Sequence, residues 1–178
     1  EARYESGLDN SPMYDCGAAD QGDGCEYFNK SSGVMELLDV GMSARAAHEA
    51  YALATLAEAI GRPEAAMLRR RGDEYRDAIR AELWDAEGGI YANRIMRNDS
   101  LSNRVSHTSF YPLMLKATLG AAAQQEEDKR ADQMMHRWLT NCTRFCIRVN
   151  GTAAPAVTEG LDGVAGSLSS DPAFDRCF

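Results

Sequence analysis

The chain has 178 residues, 44% hydrophobic and 26% charged, with a net charge of −8. That balance suits a globular domain with a real core, and length alone does not suggest two domains. A surface that tracks phosphates needs the opposite sign, which argues against nucleic acid as a partner. The sequence also holds no eighteen-residue apolar run, so no membrane span is expected.

The N-terminal residues Glu1-Ala2-Arg3-Tyr4 are neither a start methionine nor a signal peptide. At the other end, Asp171 to Phe178 stops without a terminating element. The expectation is a single partial domain over residues 1–178, truncated at both ends.

The stretch Glu5-Ser6-Gly7-Leu8-Asp9-Asn10-Ser11-Pro12-Met13-Tyr14-Asp15 has neither helical nor strand period. It packs three carboxylates, a glycine, an amide and a tyrosine into eleven residues. Each polar group there must find a partner, so folding alone seldom calls for such a loop. Glycosidic hydrolysis does call for one. A carboxylic acid must protonate the leaving oxygen while amides and hydroxyls hold the ring hydroxyls. Asp9 follows Gly7 and has Glu5 and Asp15 nearby, which can keep one carboxyl protonated. The competing reading is that Asp9 caps a helix starting near Ser11-Pro12.

Next along the chain, residues 43–60 carry Ala47, Ala50, Leu53, Ala54, Ala57 and Ile60 at helical spacing, with Ser43 as N-cap and Gly61 as stop. Pro63 should open a second helix running to Leu83, with Met67, Leu68, Tyr75, Ile79 and Leu83 buried. Its charged residues, Arg76 among them, should mostly face water. Gly61-Arg62-Pro63 then makes an antiparallel helix hairpin, which the alanines allow to pack closely.

After it, Gly88-Gly89 reads as a turn and Ile90-Tyr91-Ala92 as a short extended piece. A third helix is expected from Ser106 to Leu119, burying Phe110, Leu113, Met114 and Leu115. A fourth should run from Glu126 to Leu139, with Met134, Met135, Trp138 and Leu139 on one side. Phe145 to Val149 reads as a strand, and residues 151–170 as a loop. Helix pairs separated by polar, aromatic loops are the rhythm of an all-α fold, an α-toroid with short extended pieces in its loops.

Cys16, Cys25, Cys142, Cys146 and Cys177 match no zinc spacing, and no metal or other cofactor is implied. Cys16 and Cys25 could close a small loop, although free thiols are the plainer reading. Four Asn-x-Ser/Thr triplets begin at Asn29, Asn98, Asn141 and Asn150. Seven asparagines with Ser and Thr at about 11% of positions give roughly one by chance, so four lean towards a secretory-pathway lumen or secretion. His48 and His136 lie within helices and are given no role, and His107 reads as a structural hydrogen-bonder.

Glu5-Ser6-Gly7-Leu8-Asp9-Asn10-Ser11-Pro12 resembles the Glu-Ser-Gly-x-Asp-Asn-Ser-Pro signature of glycoside hydrolase family 63, which includes processing α-glucosidase I and mannosylglycerate hydrolases. Leu37 to Ala44, Leu83 to Tyr91 and Arg104 to Leu113 are similar to later segments of that family. The resemblance implies part of an (α/α)6 barrel and an inverting hydrolase of α-glycosides. It makes Asp9 the general acid, makes Glu5, Asn10 and Asp39 sugar contacts, and makes Trp84 or Tyr91 a wall of the pocket.

The family's base glutamate lies beyond the matched segments, and Glu159 does not resemble it. The remainder of the barrel is therefore an expected partner beside the carbohydrate, and the fragment alone should be inactive. Trehalases share a similar Glu-Ser-Gly-x-Asp but usually place an aromatic where Asn10 stands. A non-catalytic, sugar-binding α-toroid is the alternative from another class.

Overall fold

The computed structural model describes residues 28–29, 31–32, 34–102 and 105–141. Glu5, Asp9 and Asn10, all five cysteines, the strand expected at Phe145 to Val149 and the loop at residues 151–170 lie outside the described residues. What is described is mostly helical with a few two-residue strands, the α-rich class expected. It divides into two compact units.

The first unit contributes residues 28–38, 93–107 and 135–141 to the described part. β1 (Phe28–Asn29) pairs antiparallel with β2 (Val34–Met35), bringing Asn29 opposite Val34. β3 (Leu37–Leu38) pairs with β6 (Arg94–Ile95), which pairs in turn with β7 (Ser100–Leu101), all antiparallel. Two backbone bonds extend this ladder, Met96 N–H to Glu36 O at 3.0 Å and Ser102 N–H to Asn93 O at 2.7 Å. A single π-helical turn, Met135–Leu139, buries Trp138. Met135 and Leu139, expected beside it, are exposed, because the wider turn rotates them off that face.

The second unit holds residues 39–92 and 108–134. Helix α1 spans Val40–Ala59 and starts three residues before the expected Ser43. Asp39 is its N-cap: Oδ1 accepts the Met42 N–H at 2.7 Å, and the Ser43 hydroxyl donates to the Asp39 carbonyl. The helix ends at Gly61, as read from sequence. Gly61 has φ +68° and donates to Glu58 O, while Arg62 N–H reaches back to Ala57 O at 2.7 Å. Ala44, Ala47, Ala50, Ala54 and Ala57 are buried on one side. Leu53 and Ile60, expected with them, are exposed.

Helix α2 (Ala65–Glu82) packs against α1, confirming the hairpin, and its buried face is the expected one at Ile79 and Leu83 but not towards its start. Ala65, Gly72, Ile79 and Leu83 are buried, whereas Met67 and Tyr75 are exposed. Gly72 sets that face. A Cβ there would lie 2.9 Å from Tyr51 Cζ, so only glycine lets the α1 tyrosine lie against the α2 backbone.

Arg76 is drawn in as well, with a side chain only 12% exposed. Its Nη1 donates to the Tyr51 hydroxyl and to Thr118 O, both at 2.9 Å. It joins α1 and α2 to the end of the next helical stretch.

That stretch, His107–Thr118, is a 3-10 helix with Pro112 inside it. Proline has no N–H to donate, and a period of three aligns Ser109, Pro112 and Leu115 on one buried face. Phe110 and Leu113, expected inside on an α-helical period, are only half-buried, and Met114, expected with them, is exposed. Helix α3 runs Ala121–Met134, beginning five residues before the expected Glu126 because the alanine run Ala121 to Ala123 is itself helix-forming.

Candidate functional site

Between α2 and the next extended piece, β4 (Trp84–Asp85) and β5 (Ile90–Tyr91) form an antiparallel hairpin with Trp84 opposite Tyr91. Its loop is closed by one side chain. Asp85 Oδ1 accepts the Glu87 and Gly88 N–H groups at 3.0 and 2.9 Å. A Cβ on Gly88 would meet Asp85 Oδ2 at 2.4 Å and push on the carboxylate that closes the loop, and Gly89 sits at φ +64°, which favours glycine. The turn and extended piece read from the sequence are therefore present.

The hairpin brings the two aromatic site candidates together, with ring centroids 5.0 Å apart and edge-on at 67°. The Arg130 guanidinium from α3 lies 4.9 Å over the indole. Tyr91 is 0% exposed and gives its hydroxyl to Glu127 Oε1 at 2.6 Å. Burial first, and the neighbouring Glu127 second, hold this phenol well above its ordinary value, so it remains a neutral donor. Enclosed in this way, Tyr91 supports Trp84 and offers no face of its own as a pocket wall. Trp84 stays half-buried.

Sequence reading missed what Tyr91 binds. Glu127, 1% exposed, also accepts from Arg80 Nε at 3.1 Å. Arg130 donates to the Tyr91 hydroxyl at 3.0 Å, to Arg80 O at 3.1 Å and to Glu126 Oε1 at 2.6 Å. The buried carboxylate is thus neutralised by two arginines and has partners on both oxygens, as a buried charge must. This network fastens α2, α3 and the hairpin together. The Glu126, Glu127 and Arg130 spacing on a helix was the available signal, but its third partner, Arg80, stands on another helix.

Asp39, the remaining described candidate, is buried at the start of α1 next to Gly41 and Thr108. A Cβ on Gly41 would lie 2.5 Å from Thr108 Cβ and 3.2 Å from Asp39 Oδ1, so the glycine makes room for both. Helix capping therefore occupies one carboxylate oxygen of Asp39.

A separate open hollow of about 430 Å³ is lined by Arg45, His48 and Glu49 of α1 with Tyr111 and Met114 of the 3-10 helix. None of the described site candidates, Asp39, Trp84 and Tyr91, lines it. His107, at the start of that helix, is exposed. Among the described residues no three metal-ligating side chains gather.

A family model described as mannosylglycerate hydrolase MGH1-like glycoside hydrolase domain matches residues 2–154. No curated protein and no solved structure matches the chain.

Proposed function

Because the chain belongs to the mannosylglycerate hydrolase MGH1-like glycoside hydrolase domain family, we propose that it forms part of an inverting hydrolase of α-glycosidic bonds, with Asp9 as the general acid. The observation that supports this reading is the extent of the match. It includes the Glu5 to Pro12 signature together with Asp39, Trp84 and Tyr91. The reaction class, cleavage of a glycosidic bond in a carbohydrate, is that of the family. The stereochemistry, the roles of single residues and the closed (α/α)6 ring belong to the proposal.

In this mechanism Asp9 gives its proton to the departing glycosidic oxygen as the bond to the anomeric carbon breaks. A second carboxylate, assigned here to no residue of the chain, takes a proton from the water attacking the opposite face. The two carboxyls stand roughly 6.5–9.5 Å apart to admit that water. Glu5, Asn10 and Asp39 hold ring hydroxyls, and Trp84 supplies an apolar face for a sugar ring. Within this scheme Tyr91 and the Arg80, Glu127 and Arg130 network keep Trp84 in place.

Substrate class and stereochemistry are tested together by proton NMR of the complete enzyme with α-glucosides, α-mannosides and mannosylglycerate. The expected first product is the β-anomer of the released sugar. Appearance of the α-anomer first would replace inversion by retention. Binding without cleavage of any member would favour a non-catalytic sugar-binding domain.

A further inference from the structure

Three of the four Asn-x-Ser/Thr asparagines fall among the described residues, and their amide nitrogens differ. Asn29 Nδ2 donates to Glu36 Oε1 at 2.6 Å, and Glu36 also accepts from Arg97 Nε at 3.0 Å. Asn141 Nδ2 donates to Arg137 O at 3.3 Å. Both asparagines are half-buried. Asn98 is exposed, in the turn between β6 and β7, and among the described residues its Nδ2 has no hydrogen-bond partner.

The oxygen end of the same amide is fixed. Asn98 Oδ1 accepts both the Ser100 N–H at 3.2 Å and the Ser100 hydroxyl at 2.9 Å. Asp99 between them takes φ +59°, a left-handed conformation that aspartate tolerates, and its carboxylate meets Arg94 Nη1 at 2.9 Å. The amide is thus held with its oxygen turned inward to the serine and its nitrogen outward to water. Asn29 has the same local pattern with Ser31, at 3.0 and 2.6 Å, but there the nitrogen is already committed to Glu36.

We propose that Asn98 is an acceptor for N-linked glycosylation, its side chain placed where a bulky, hydrated oligosaccharide fits without displacing any contact of the fold. The donor class is an oligosaccharide joined through its anomeric carbon to a lipid pyrophosphate, and the cell's transferase performs the step. The anomeric C–O bond breaks, and the lipid pyrophosphate leaves with that electron pair. The anomeric carbon bonds to Asn98 Nδ2, which gives up one proton. There is no net redox change. The glycan would stand at one end of β7, an edge strand of its sheet, where it would hinder pairing with another chain.

The test is peptide mass spectrometry of the protein expressed from its complete gene in a glycosylating eukaryotic cell, after enzymatic glycan release in heavy-oxygen water. The expected result is labelled aspartate at position 98 in most molecules. Asn98→Gln and Ser100→Ala should each remove one glycan's worth of mass, while Asn29→Gln should remove none. An unlabelled Asn98 peptide, whether or not other sequons are labelled, overturns the proposal. The wild-type peptide decides the matter even if a variant fails to fold.

Discussion

Asp39 is a residue with two possible uses, and chemistry can separate them. Its cap depends on an acceptor oxygen, not on a charge, so Asp39→Asn should keep the stability of α1. Asp39→Ala should lose about 0.5–2 kcal/mol of stability, read from a denaturant midpoint. If Asp39 also holds a sugar hydroxyl, Asp39→Asn in the complete enzyme raises KM with the melting transition unmoved. Unchanged kinetics would leave Asp39 as a cap alone. Tyr91→Phe removes a buried bond to the Glu127 carboxylate and should be destabilising by about 1.5–3 kcal/mol. Glu127→Ala leaves Arg80 and Arg130 without their shared anion and should reach about 3–5 kcal/mol. At this scale the Gly88-Gly89 turn and the extended piece carrying Tyr91 were legible. The ion network was not, because its members come from separate helices and no local period links Arg80 to Glu127.

Among the elements, the α1–α2 hairpin was readable from the Gly61-Arg62-Pro63 punctuation and the alanine spacing. The inward face of α2 was readable at Ile79 and Leu83 but not at Gly72 and Arg76, because hydrophobicity pointed to Met67 and Tyr75. Backbone approach decided it, with Gly72 against Tyr51 and Arg76 turned inward while Met67 and Tyr75 face outward. Gly72→Ala should therefore loosen the hairpin and destabilise by about 1–3 kcal/mol, despite alanine's better helix propensity. A stabilising outcome in thermal melts would contradict that packing.

In the first unit Glu36 links Asn29 and Arg97, and its carboxyl is lowered below the ordinary 4.5, by the Asn29 bond first and Arg97 next. A lowered folded value means this contribution is present above the ordinary carboxylate range and is lost as pH falls through the folded value. The Asn29 side-chain amide signal in NMR should shift over that acidic window, and Glu36→Gln should abolish the shift. The third helix, read as Ser106 to Leu119, was correct in position, but its period of three could not be told from a period of 3.6 by composition.

For the whole molecule, the α-rich class and the glycoside hydrolase family were legible, because one specific motif carried the family resemblance and alanine-rich periods carried the helices. Less legible was how much apolar surface the chain presents. Leu53, Leu56 and Ile60 are 52, 62 and 74% exposed along one side of α1. A stripe of that kind favours self-association in water. The isolated chain should sediment above its monomer mass, and the joint change Leu53→Gln, Leu56→Gln and Ile60→Gln should return it to monomer. A wild-type monomer at high concentration would refute this.

Asp9 as general acid is the central claim, and leaving-group dependence in the complete enzyme tests it most directly. Asp9→Asn should lower kcat/KM on natural α-glycosides by about 10²–10⁴-fold. The same variant should largely spare α-glycosyl fluorides, whose leaving group needs no proton. Equal loss on both substrates, or loss on neither, would contradict the assignment.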